Sequence, residues 1–182
     1  MGEERWHASV GLLEQRPYLF DTSVAENLLL ADPSASRTEL DDVLRRVGLG
    51  PWVAGLPRGL DTPVGEHGRR LSGGQRQRLG LARLLLSHHQ IVVLDEPDEH
   101  LDAVSADALM GDLLAATGGR TTVVVSHRLE PLSGVDHIVV LDAGRVIEEG
   151  DHGALVARGG WYARTWMREQ DIAAAMGEAS AR

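Results

Sequence analysis

An α/β domain built on a mainly parallel sheet is the fold class that this 182-residue sequence predicts. Three segments predict it. "SVGLLEQ" (Ser9 to Gln15), "IVVLDEP" (Ile91 to Pro97) and "TTVVVSH" (Thr121 to His127) are short apolar runs, each ending in polar side chains. Runs of this length rich in Val, Ile and Leu read as strands buried on both faces, the pattern of a parallel sheet. Helical segments separate them, and strand alternating with helix makes the strands parallel neighbours.

The elements follow in order. After the first strand, Ser23 and Glu26 have capping-box spacing ahead of "NLLLA", and Ser36 and Glu39 repeat it ahead of "LDDVLRRVGL". Gly48 marks a helix stop. From Gly50 to Gly68 the density of Pro and Gly predicts turns with a short helical piece. In "RRLSGGQRQRLGLARLLL" (Arg69 to Leu86), Ser72 caps a helix running to about Ser87, apolar on most faces and therefore buried. Asp102 caps a helix over Ala103 to Thr117, which Gly118 and Gly119 stop. "HIVVLDAGRVIEEG" (His137 to Gly150) predicts two short strands around an Ala-Gly turn. A helix follows, breaks at Gly159-Gly160 and resumes from Trp161 to Glu169. "AAAMGEASAR" has no core to join and predicts a frayed end. The division that results is a core strand with its polar end over residues 1–20, a helical insertion over 21–88, a second core segment over 89–170 and a flexible tail over 171–182.

Composition narrows the function. A formal charge of −9 argues against nucleic acid as the main partner, and scarce aromatics offer no stacking platform for single strands. The chain has no cysteine, which excludes disulfides and thiolate zinc sites. The charged start, MGEERWHAS, lacks the apolar stretch of a signal peptide. No apolar run approaches the roughly 18 residues needed to span a bilayer. A soluble cytoplasmic chain is the expectation. All 18 basic residues are arginine.

Ligands of open parallel sheets bind beyond the carboxyl ends of the strands. If the three strands are neighbours, Gln15, Asp95, Glu96 and His127 converge there. An Asp at a strand end suits Mg²⁺, directly or through water, and Gln15 suits the same metal or water shell. An adjacent Glu suits deprotonation of an attacking water, and an imidazole suits a hydrogen bond to a terminal phosphate. The glycines after Ser72 leave backbone N–H groups bare at a helix start, where the dipole favours an anion such as phosphate. That helix start, set in a separate insertion, is expected to face away from the strand ends of its own chain.

Taken together these motifs resemble those of ATP-binding-cassette (ABC) ATPases, over about residues 8 to 170. "LSGGQ" (Leu71 to Gln75) followed by "RQR" is similar to the family signature, and Ile91 to Glu96 to its Walker B strand with catalytic glutamate. Gln15 resembles the Q-loop glutamine, "EHLD" (Glu99 to Asp102) the D-loop and His127 the switch histidine. "LPRGLDTPVGEHG" (Leu56 to Gly68) resembles the exporter loop that touches the cytoplasmic helices of the membrane domains. "DEPDEHLD" (Asp95 to Asp102) resembles CydC-type subunits of the thiol exporter needed for cytochrome bd assembly. The resemblance implies a P-loop NTPase-like core with ATP and Mg²⁺ as ligands. It makes Glu96 and His127 catalytic, and Asp95 and Gln15 the metal-side residues. It makes Ser72, Gly73, Gly74, Gln75 and Asp102 contacts to a nucleotide held by a second nucleotide-binding domain, in a homo- or heterodimer. It also implies transmembrane domains of an exporter as partners and a place at the inner face of the plasma membrane.

One family feature has no counterpart. The phosphate loop, GxxxxGK[ST], belongs upstream of the Q-loop, and the sequence contains no lysine at all. Relative to the family layout, roughly the first third of a nucleotide-binding domain is expected to be missing. The rival expectation is a binding module that only supplies its signature to a complete partner. A chromosome-maintenance ATPase would share the motifs but predicts long heptad segments, which are absent from the sequence.

Overall fold

The three predicted strands pair in parallel. In the computed structural model, which describes residues 9–99 and 101–180, β1 (Val10–Leu13), β2 (Ile91–Asp95) and β3 (Thr121–Val125) form one sheet in that order. Leu13 pairs with Leu94, and Asp95 with Val125, so the carboxyl ends of the strands are level. His100 and the charged residues 1–8 lie outside the described residues. The chain divides into two units, one up to Ser126 and the other from His127 onward.

Between β1 and β2 of the first unit come α1 (Val24–Leu29), α2 (Arg37–Arg46), α3 (Gly50–Ala54) and α4 (Gly73–Leu86), with two 3-10 turns before α4. Both predicted capping boxes form. The Ser23 hydroxyl accepts from the Glu26 N–H at 3.1 Å while the Glu26 carboxylate accepts from the Ser23 N–H at 3.0 Å, and Ser36 and Glu39 repeat the exchange. These bonds, the backbone ones first, hold the Glu26 and Glu39 carboxyls below the ordinary carboxylate range. The caps therefore contribute fully above that range and are lost as pH falls through the lowered values. A Gly48 φ of +74° ends α2, a conformation that glycine adopts without strain.

The helix α4 is the hub. Its Leu79, Leu81 and Leu85 join Leu28 of α1, Leu40 and Leu44 of α2, and Leu13 and Leu94 of the sheet in one core. Each such leucine contributes roughly 1.5–3 kcal/mol by leaving water. Helix α5 (Ala103–Ala116) adds Leu109 and Leu113. One polar side chain is fully enclosed near α1. Asn27 donates to the Phe20 carbonyl (3.0 Å), the Thr22 hydroxyl (3.1 Å) and the Ser23 carbonyl (3.0 Å), and accepts from the Phe20 N–H (2.9 Å).

The sheet departs from the predicted two-sided burial. Leu12 is 51% exposed and Val123 and Val125 are each 47% exposed. Leu12, Val93 and Val123 lie in one row across the strands, on a face that no element of the first unit covers. The opposite face, with Leu13, Val92 and Leu94, packs into the core.

In the second unit β4 (Ile138–Asp142) and β5 (Arg145–Gly150) pair antiparallel. Ala143 and Gly144 turn the hairpin at φ +47° and +74°, as two-residue hairpin turns require. Helix α6 (His152–Arg158) is capped by Asp151, and Leu155 and Tyr162 fill a small core with Leu129, Ile138 and Val140. Helix α7 (Trp161–Ser180) runs eleven residues past the predicted end at Glu169. Its alanine-rich end has high intrinsic helix propensity, which outweighs the lack of a core to join. The Glu148 carboxylate accepts from the Trp161 N–H (2.5 Å) and the Tyr162 N–H (3.1 Å), satisfying the start of α7. A Cβ on Gly160 would run into that carboxylate. Gly160→Ala is therefore expected to displace Glu148 and cost about 0.5–2 kcal/mol, the worth of a helix cap. Denaturant titration followed by tryptophan fluorescence checks this, and an unchanged midpoint would contradict it.

Candidate functional site

At the level edge of the sheet, β2 runs out through Asp95 into Glu96. The Glu96 N–H donates to the Val125 carbonyl at 2.9 Å, which prolongs the β2–β3 ladder by one bond. Its φ is +41°, a left-handed conformation costing a non-glycine residue roughly 1–3 kcal/mol. The ladder bond on one side and the buried Pro97 on the other hold it there. The strained turn is where a side chain is re-aimed, and here it is aimed at Gln15. The Gln15 Nε2 donates to the Glu96 Oε2 at 2.6 Å. Gln15 reaches this position because β1 ends two residues earlier, beside Leu94. Asp95 and Glu96 are half-buried.

The main chain of Gln15 is held as well, because its carbonyl accepts from the Gln77 Nε2 at 2.5 Å. Gln77 lies on α4, four residues after the Gly73 that opens the helix. At that opening Ser72 and Gln75 exchange a capping box. The Ser72 hydroxyl accepts from the Gln75 N–H at 3.2 Å, and the Gln75 Oε1 accepts from the Ser72 N–H at 2.9 Å. The N–H groups of Gly73 and Gly74, in the first turn, have no helical carbonyl to donate to. A Cβ at Gly73 would sit 3.2 Å from Leu101 and one at Gly74 3.3 Å from the Arg78 guanidinium, so the two glycines keep the helix mouth bare.

A cleft of about 230 Å³ opens between these parts, lined by Gln15, Arg16, Gly73, Arg76, Gln77 and Pro97 among others. This corrects one expectation. The mouth of α4 does not face away from the strand ends of its own chain but shares a cleft with Gln15 and Pro97. The reason is close packing, since Gly80 lets α4 lie directly on Leu13 at the end of β1 and on Pro17 after it.

Asp102 caps α5, its Oδ1 accepting from the Ser105 N–H at 3.0 Å. Hydrogen bonds from the Ser105 side chain first, and then its backbone, hold the Asp102 carboxyl below its ordinary value. His127 follows the end of β3 by two residues, is exposed and opens the second unit. No group of three His, Asp or Glu side chains that would cage a metal exists among the described residues, and no helix among them is long and apolar enough to cross a membrane.

Sequence reasoning missed Gln77 and Gly80. Both interrupt the leucine stripe of α4 at one helical turn's spacing, a signal legible as a polar contact and a close approach on an otherwise apolar face.

The chain is 42% identical to an ATP-dependent lipid A-core flippase of Chromobacterium violaceum over 85% of its length and 26% of that protein. It is 36% identical to an ATM1-type heavy metal exporter of Novosphingobium aromaticivorans, over 95% of this chain and 28% of that one. The structure of a bacterial Atm1-family ABC exporter with ATP bound superimposes with a TM-score of 0.79 at 36% identity, over 89% of this chain and 28% of that chain. The chain thus spans about a quarter of the length of these two curated relatives. The ABC transporter family model matches residues 1–99, more than half of the chain, and the chain belongs to that family.

Proposed function

We propose that these residues are the hydrolytic strand ends and the signature helix of the ATP-binding domain of an ABC exporter, which couples ATP hydrolysis to transport through membrane domains. The observation that carries the reading is the hydrogen bond from Gln15 to Glu96 at the level edge of the parallel sheet. Glu96 is the general base. Its carboxylate orients a water and takes its proton, while Gln15 fixes the orientation of that carboxylate. ATP supplies the phosphoryl group, and positioning with charge neutralisation does most of the work in its transfer. Asp95 and the Gln15 Oε1 are the groups that would hold Mg²⁺. A carboxylate and an amide suit an ion that takes most of its ligands from phosphates and water. His127 donates to the terminal phosphate.

Ser72, Gly73, Gly74 and Gln75 act on the nucleotide of a second domain, with Asp102 beside them. The bare N–H groups of the two glycines and the approach of Gly73 to Leu101 support this shared surface. Residues 56–68 dock on the exporter's membrane domains, at the cytoplasmic face.

A sequence without lysine supplies no phosphate-loop ammonium. The 182-residue chain alone is expected to hydrolyse no ATP above background. Phosphate release by the purified chain tests this, and turnover that Glu96→Gln abolishes would overturn it. Joining the upstream segment of a full-length relative is expected to restore ATP binding, and a partner domain to restore hydrolysis.

A further inference from the structure

The segment from Gln15 to Tyr18 belongs to neither helix nor strand, and two of its carbonyls are satisfied by side chains of α4 rather than by backbone. Gln77, 5% exposed, donates from Nε2 to the Gln15 carbonyl at 2.5 Å. Arg83 donates from its guanidinium to the Tyr18 carbonyl at 2.7 Å. Gly80 lies between them on the same helix face, where a Cβ would stand 2.8 and 2.9 Å from the ring carbons of Pro17. Residues 77, 80 and 83 thus form a three-point seat at helical spacing, with a donor at each end and bare backbone in the middle. Burial holds the Arg83 guanidinium below its ordinary pKa, and no carboxylate among the described residues pairs with it. Its charge faces a carbonyl dipole instead.

We propose that Gln77 and Arg83 are positioning residues that grip the main chain of the Gln15–Tyr18 segment and thereby set the Gln15 side chain on Glu96. Gln15 is held twice, through its carbonyl by Gln77 and through its amide by Glu96. If the first hold is lost, the residue leaves a fixed backbone and its long side chain regains its rotamers. The helix that does the gripping is the same helix whose mouth is Ser72 to Gly74, so a shift of α4 reaches Gln15 through two hydrogen bonds. Only the catalytic consequence of this clamp rests on the reading of Glu96 as general base.

The test uses the full 182-residue chain and no nucleotide. Gln77→Met keeps side-chain length, Arg83→Met keeps an unbranched apolar stem, and both remove the donors. Each is expected to raise amide hydrogen exchange of residues 15–20 by about tenfold or more while β2 and α2 keep wild-type rates. In an otherwise unaltered chain the Gln15 Nε2 resonances, read by NMR, are expected to shift on Glu96→Gln, which turns the charged acceptor of their hydrogen bond into a neutral one. In the Met variants that response is lost, and in Arg83→Lys, which still offers a donor, it is retained. Wild-type exchange and an intact Gln15 response in both Met variants would overturn the clamp. Should the variants fail to fold, the unaltered chain decides. Slowed solvent exchange of the Gln77 Nε2 and Arg83 guanidinium protons supports the bonds, and free-solvent rates overturn them. Because none of these readouts uses ATP, a Glu96 that proved not to be the base would leave them unchanged and overturn only the functional reading.

Discussion

Glu96→Gln is expected to lower ATP hydrolysis by about 10²–10⁴-fold, the usual worth of a general base, once the chain is completed with a phosphate-loop segment and paired with a partner domain. That factor corresponds to about 2.7–5.4 kcal/mol of barrier. The substitution is nearly isosteric. A glutamine oxygen still accepts the hydrogen bond that Gln15 donates at 2.6 Å, and the backbone still donates to Val125. What it removes is the capacity to take a proton from water. The geometry is kept, so nucleotide binding is kept, and the completed variant is expected to retain ATP and hold the dimer closed. Steady-state phosphate release and nucleotide retention on a filter check the two halves of the expectation. A fall of less than threefold would show that Glu96 is not the base.

Asn27→Leu is the substitution expected to cost most in stability, about 3–5 kcal/mol. Leucine matches the shape of asparagine but is bulkier, so no cavity is left and overpacking at this fully buried position adds to the cost. The loss comes from four hydrogen bonds to Phe20, Thr22 and Ser23. The Phe20 and Ser23 carbonyls still accept from the Thr22 and Asn27 N–H groups, so the Phe20 N–H is the backbone group left without a partner. An unsatisfied buried group keeps its full desolvation cost, which makes removing one partner worse than never having had the pair. Because small domains are stable by only about 5–15 kcal/mol, the variant is expected to populate unfolded chain at room temperature. Urea unfolding against the unaltered chain measures it, and a midpoint within error of wild type would contradict it.

Much of this molecule is legible in its sequence because local rules and tertiary packing agree. The Ser23, Ser36, Ser72 and Asp102 caps lie at the helix starts where a Ser or Asp stands ahead of an apolar-periodic run, and Asp151 caps α6 without having been read from the sequence. The convergence of Gln15 with Glu96 follows from strand-end logic, since parallel neighbours present their carboxyl ends on one side. What was not legible depends on three-dimensional approach. The side-chain grip of Gln77 on the Gln15 carbonyl needs the crossing of α4 over the segment after β1, which no periodicity specifies. The open face of β3 is the opposite case. Val123 and Val125 are written for a sheet covered on both sides, and their exposure reflects which elements of the first unit pack against the sheet. The length of α7 misled for a third reason. The end of the tertiary contacts marks no end of the helix there, because alanine propensity alone carries it on to Ser180.

The central claim is that the mouth of α4 completes a nucleotide site held by another domain. It is tested most directly with a partner ABC domain that keeps its own phosphate loop and lysine but carries an arginine at its signature serine, which silences it as a homodimer. Phosphate release is measured as the 182-residue chain is added. ATP hydrolysis is expected to appear with the unaltered chain, whose Gly73 and Gly74 N–H groups reach the partner's nucleotide. It is expected to stay absent with Ser72→Arg, where a bulky cation replaces the small cap at the helix mouth. No hydrolysis with the unaltered chain, or equal hydrolysis with Ser72→Arg, would contradict the account.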